Sequence, residues 1–309
     1  MDRLPTLGRA IPVVVGPTYD IYAALLSKKA VDIKKTTVET HKYGLHPRQQ
    51  LDLYKSTSNK GLRKPAPILV FLYGGGFVNG DRILNRIPGE LAFANLGHFF
   101  CENFGFETIV MDYRLVGHGA TFPSGGSDLE AVMQWIRKRY AGSGRKVFVL
   151  GNSAGGIHTC TWMFENDFRS SRRALIAGSD GIKLAGVITL GAAFTFRYSS
   201  RGLIDSVAQY LGSEVENASP LGSIERCRDS GELLKGGWPR MLVVDSEFDP
   251  EDILRSSQDA LLKLRAVEGL QIEYQNLTGH NHISPPLALG TGITEEKSWG
   301  FAIGKWCMA

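Results

Sequence analysis

The chain has 309 residues, 43% hydrophobic and 21% charged, and its 35 Lys and Arg against 31 Asp and Glu leave a net charge of +4. That balance excludes a disordered or fibrous protein and is too mild to point to a nucleic-acid binder. A chain of this size stabilises its core without disulfides. Cys101, Cys160, Cys227 and Cys307 stand too far apart for a metal motif and read as free thiols of a reducing compartment.

Residues 1–35 contain one short apolar run, Ile11 to Val15, broken by Pro12 and closed by Gly16-Pro17. It makes a poor signal peptide, and no stretch reaches the roughly 18 to 20 apolar residues of a spanning helix. The expectation is a cytoplasmic protein with no membrane and no nucleic-acid partner; a homodimer is allowed. Thr36 to Gly44 and Gln50 to Tyr54 alternate apolar and polar residues around His46-Pro47, which predicts an antiparallel hairpin. Six short, nearly continuous apolar runs follow: Pro67 to Tyr73, Glu107 to Met111, Lys146 to Leu150, Leu184 to Leu190, Pro239 to Val244 and Leu270 to Tyr274. Runs of this kind are strands buried on both faces of a parallel sheet.

Helical spacing appears over Ser127 to Tyr140, Ile157 to Phe164 and Ile253 to Val267, while the basic stretch Arg169 to Arg173 reads as a solvated turn. Strands alternating with helices predict one α/β domain over residues 1–309. It is a three-layer sandwich with a mostly parallel sheet, an antiparallel N-terminal hairpin and a small helical cap drawn from about 1–35 and 192–238.

Gly151-Asn152-Ser153-Ala154-Gly155 lies between a strand and a helix, the context in which G-x-S-x-G places a serine hydroxyl on a strained turn at the sheet's edge. A serine is a weak nucleophile until a base takes its proton. Asp249, ahead of Pro250, is the preferred acid, with Asp245, Glu247 and Asp252 as substitutes. His282 is the preferred base, with His280 as its alternative. The His280/His282 pair lacks the further spaced ligands of a zinc site, so no metal is expected.

Tyr73-Gly74-Gly75-Gly76-Phe77 follows a strand, and glycines let amides turn inward toward a developing charge. Gly75, Gly76 and Ala154 are therefore the expected oxyanion-hole donors. Phe77, Trp162, Phe194, Phe196, Tyr198 and Tyr210 are the candidate substrate-binding aromatics. No phosphate-binding G-x-x-x-x-G-K-[ST] occurs.

The Tyr73 to Phe77 loop, Asp112-Tyr113-Arg114-Leu115, the Gly151 to Gly156 turn, Asp249-Pro250 and a late histidine together resemble the hormone-sensitive-lipase-like branch of the α/β hydrolases. They are also similar to the kynurenine formamidases and BD-type feruloyl esterases. The resemblance covers roughly residues 36–309. It implies a cofactor-free hydrolase of carboxylic esters, working on a small-molecule substrate through an acyl-enzyme and a Ser-His-Asp triad. Tyr73 stands where that branch usually has His, and Asn152 where Asp is common. A weaker likeness to fungal lactone-forming cyclases implies an alternative, in which an internal nucleophile or another acceptor resolves the acyl-enzyme instead of water.

Overall fold

The computed structural model of the protein describes residues 2–55 and 65–309. The hairpin is present as β1 (Thr37–Lys42) and β2 (Gln50–Lys55), and the six apolar runs form β3 (Ile68–Leu72), β4 (Glu107–Met111), β5 (Arg145–Asn152), β6 (Ile182–Leu190), β7 (Arg240–Phe248) and β8 (Ile272–Asn281). They make one eight-stranded sheet in the order β1-β2-β4-β3-β5-β6-β7-β8. The two pairings at the N-terminal edge are antiparallel, and every pairing from β4 through β3 to β8 is parallel. All five residues of β3 are buried, as a strand covered on both faces requires.

The strand order places the site. The chain leaves β3 toward β4, then returns from β4 across β3 to β5, and right-handed crossovers put the helices of these two opposite steps on opposite faces. Helix Ala94–Phe104 follows β3, and helix Ser124–Tyr140 precedes β5. Between the ends of β3 and β5 the connections part to opposite faces, and the crevice they leave is where ligands bind in open α/β sheets.

Three sequence readings change. Arg169 to Arg173 is not a solvated turn: it opens helix Arg169–Ala177, where Arg172 is fully buried and donates to the carbonyls of Trp162 and Glu165. Strands β7 and β8 run four and seven residues past the predicted ends at Val244 and Tyr274, so Asp245, Glu247 and His280 lie within strands rather than in loops. The prolines at 12 and 17 do not prevent helix Ile11–Ser27: Pro12 occupies its first turn, where no amide partner is lost, and Pro17 is carried inside it. Among the described residues no helix is long and apolar enough to cross a membrane.

Candidate active site

β5 delivers Ser153 through a turn that only small residues permit. A Cβ on Gly151 would lie 2.4 Å from the Gly155 carbonyl oxygen, and one on Gly155 would lie 2.3 Å from that of Leu72. Ser153 itself is held at φ 51°, ψ −120°, a strained geometry for a residue with a side chain, of order 1–3 kcal/mol. Two hydrogen bonds to the Leu190 carbonyl hold the turn against β6, one from the Ser153 amide (2.8 Å) and one from Asn152 Nδ2 (3.1 Å). Asn152 therefore needs no charge to do this. The Ser153 hydroxyl does not cap the helix Ala154–Phe164 that begins behind it, which leaves it free to project from the sheet edge.

His282 Nε2 lies 2.9 Å from Ser153 Oγ, and His282 Nδ1 lies 2.6 Å from Asp249 Oδ1. A carboxylate accepts, so Nδ1 carries the ring proton and Nε2 presents its lone pair to the serine. Asp249 is fully buried; its Oδ2 accepts from the Ser246 amide at 2.5 Å. Arg9 Nη1 donates to the carbonyls of Glu247 (2.6 Å) and Asp249 (2.9 Å), tying the N-terminal segment to the end of β7. Gly191, at φ 58°, passes beside the pair: a Cβ there would come within 3.1 Å of His282 Nδ1 and 3.3 Å of Asp249 Oδ1.

The alternatives are occupied elsewhere. His280 is buried between the Ser284 hydroxyl (2.8 Å) and the Glu296 carbonyl (3.1 Å), and burial pushes its pKa down to about 4. Asp245 accepts from the Ser257 hydroxyl at 2.9 Å; burial, then the charge of Asp249, pushes its pKa up to about 8. Glu247 accepts from the Gly279 amide, and Asp252 from the Ser199 hydroxyl.

Opposite the serine stands the glycine loop. A Cβ on Gly74 would lie 2.8 Å from the Ser153 Cβ, so the two turns are in contact. Gly75 (φ 150°) and Gly76 (φ 60°) adopt conformations that suit glycine, and the Gly75 carbonyl accepts from Asn79 N (2.9 Å) and Val78 N (3.3 Å), closing the loop on itself. A Cβ on Gly76 would meet nothing within 4 Å, whereas one on Gly75 would strike the Asn79 carbonyl. The Ala154 amide lies in the first turn of its helix, where amides lack intrahelical acceptors and the helix dipole favours negative charge.

Tyr73 roots this loop. Its hydroxyl donates to Asp112 Oδ1 and accepts from Arg48 Nη2 at 2.8 Å, and its ring stacks between Phe93 and Tyr113. The Tyr113 hydroxyl in turn donates to the Tyr73 carbonyl at 2.7 Å. Burial raises the Asp112 pKa to about 6, opposed by the Tyr73 hydrogen bond and the Arg48 charge.

The six candidate aromatics separate into two groups. Phe77, Phe196 and Tyr210 form one cluster with Ala154 and Ile157, next to Ser153; Phe77 and Tyr210 stack with centroids 4.4 Å apart. The other three lie away from it. Trp162 belongs to the main core and donates to Glu130, because the helix has turned more than twice between Ser153 and this ring. Phe194 is fully buried in the same core, and Tyr198 is 39% exposed with its hydroxyl on Asp259.

Sequence reading missed Gly191, Arg9, Arg48 and His158. Gly191 is one of 36 glycines and only its position at the end of β6 could have marked it. His158 is fully buried between Phe77, Tyr113 and Tyr210; neither ring nitrogen has a hydrogen-bond partner, and burial pushes its pKa down to about 3.

Comparison with known proteins finds similarity to esterases. Residues 51–172 match the family model BD-FAE. Esterase LipC of Mycobacterium tuberculosis is 25% identical over 246 residues, covering 78% of this chain and 58% of LipC. An acetylcholinesterase of Bungarus fasciatus is 26% identical over 211 residues, covering 61% of this chain and 32% of the enzyme, so the chain spans less than two thirds of either relative. Among solved structures, esterase LipW from Mycobacterium marinum superposes with a TM-score of 0.64 at 17% identity, over 94% of this chain and 87% of LipW. That likeness is one of fold.

Proposed function

We propose that the chain, an α/β-hydrolase by its fold, is a serine hydrolase of carboxylic esters. The observation that carries this reading is the unbroken hydrogen-bonded relay Asp249–His282–Ser153, facing a glycine loop across the crevice. Ser153 Oγ attacks the ester carbonyl while His282 Nε2 takes its proton, and Asp249 holds the ring and stabilises the imidazolium. The negative charge that develops on the carbonyl oxygen is met by the amides of Gly75, Gly76 and Ala154; one such donor is worth roughly 2.7–4 kcal/mol. The C–O bond to the alcohol then breaks, and that oxygen leaves with the proton held on Nε2. Water repeats the sequence on the acyl-enzyme: Nε2 takes its proton, the acid departs, and Ser153 is reprotonated.

The cluster of Phe77, Ile157, Phe196 and Tyr210 supports a small apolar or aromatic acyl group, since these side chains are tightly packed and leave little room for a long chain.

The test is chemical. A fluorophosphonate probe should label the protein and fail to label Ser153→Ala, and p-nitrophenyl acetate and butyrate should be turned over with the decanoate a poor substrate. Short esters giving no burst and no turnover above the Ser153→Ala control would remove the reading.

A further inference from the structure

Arg48 comes from the turn of the β1–β2 hairpin, far in sequence from every residue of the relay, yet its guanidinium reaches the root of the glycine loop. The turn that presents it is fixed. The Gln49 amide donates to the His46 carbonyl (2.9 Å), the Arg48 amide to His46 Nδ1 (3.1 Å), and Gln49 Nε2 to Asp128 Oδ1 (2.8 Å) at the start of helix Ser124–Tyr140.

From that mount the guanidinium reaches four acceptors. The two hydrogens of Nη2 are shared among the Tyr73 hydroxyl (2.8 Å), the Gly80 carbonyl (2.8 Å) and Asp112 Oδ1 (2.6 Å), while Nε donates to the Tyr113 carbonyl (2.8 Å). Nη1 faces Asp81 at 3.7 Å. Tyr73 and Gly80 are the two ends of the loop that carries Gly75 and Gly76, so one side chain grips both. The ends also touch each other: a Cβ on Gly80 would fall 2.5 Å from the Tyr73 ring and 2.8 Å from the Gly74 carbonyl oxygen.

We infer that Arg48 is a positioning residue for the oxyanion hole, a clamp that fixes the separation of the loop's two ends and thereby the direction of the Gly75 and Gly76 amides. The inference rests on the proposed esterase reading and extends it to a residue that touches no substrate. A rigid planar fork can span several acceptors, and an ammonium on a flexible stem cannot hold the same set together. Preorganised donors stabilise the transition state because they need not move as charge develops. Loss of the clamp therefore acts on the transition state and spares ground-state binding.

The experiment compares wild type with Arg48→Lys and Arg48→Gln on p-nitrophenyl acetate, alongside binding of an alkyl trifluoromethyl ketone, which forms a tetrahedral adduct with a serine, and a thermal melt. Both variants should lose tenfold or more in kcat with KM within about twofold, and should lose ketone affinity by a similar factor. Arg48→Lys, which keeps the charge beside Asp112, should remain folded at the assay temperature. Near-normal kcat and ketone affinity in a folded Arg48→Lys would overturn the clamp, as would a rise in KM alone. So would a kcat loss that merely tracks the fraction unfolded in both variants. Wild type that turns over no ester and takes no probe would instead remove the esterase reading itself.

Discussion

Ser153, His282 and Asp249 each stand one residue beyond the end of a strand, at β5, β8 and β7, whereas Gly75 and Gly76 sit in a loop that leaves β3 and is braced from outside by Tyr73, Asp112 and Arg48. The relay inherits its geometry from the sheet. Parallel strands in fixed register set how far apart their ends lie, so three side chains on three short stubs meet with little further support. The glycine loop has no such frame. Its backbone angles are ones glycine permits, and side chains from two other segments, Arg48 and Asp112, bond to its ends. One half of the site is therefore vulnerable mainly to loss of the reacting groups, and the other to changes several residues away.

The largest effect should come from the relay. His282→Ala is expected to lower kcat by about 10⁴-fold or more, since Ser153 loses its proton acceptor. His280→Ala should stay within about tenfold, or roughly 1.4 kcal/mol of barrier, because that ring is spent on Ser284 and the Glu296 carbonyl. Steady-state kinetics on a short ester checks both, and the reverse ranking would reassign the base.

A smaller loss is expected from the loop's root. Tyr73→Ala should lower kcat by about 10 to 100-fold with little change in KM, as expected for an interaction that matters in the transition state. Tyr73→Phe keeps the stacking on Phe93 and Tyr113 but loses the bonds to Asp112 and Arg48, so it should fall between wild type and Tyr73→Ala. A rise in KM with kcat intact would make Tyr73 part of the substrate pocket and dissolve the contrast between the two halves.

The smallest effect is one of stability and pH. Folded His158 has its pKa pushed down by burial to about 3, against 6.5 for the free side chain. The unfolded chain therefore takes up the proton first as pH falls below 6.5. Stability present above 6.5 is lost progressively down to about pH 3, and a single such group removes about 2 kcal/mol between pH 6.5 and 5. His158→Leu should remove that share of the acid loss, seen as a flatter dependence of urea midpoint on pH. An unchanged slope would mean that His158 finds a proton partner when folded.

How much of this was legible in the sequence follows the same division. The apolar runs of β3 to β6 and the glycines around Ser153 are local signals, because burial on both faces and a tight turn each constrain neighbouring residues. Asp249 and His282 are preferred from the order of residues expected along an α/β-hydrolase chain after Ser153, with Asp245, Glu247, Asp252 and His280 left as alternatives. The ends of β7 and β8 were not legible, since Asp245, Glu247 and His280 are polar residues whose strand conformation depends on pairing and on partners such as Ser257, Gly279 and Ser284.

Arg172 likewise reads as solvated by type, and the carbonyls of Trp162 and Glu165 and the Trp238 ring, brought to it by the fold, offset part of the cost of its burial. The sequence by itself determined the sheet, the strained serine turn and the glycine content of the loop, since these are properties of adjacent residues. The tertiary structure alone decided which aromatics flank Ser153, which backbone Gly191 brings against His282, and that Arg48 closes on both ends of the loop. Each of those is a meeting of segments far apart in the chain, and local residue pattern carries no information about the distance between them.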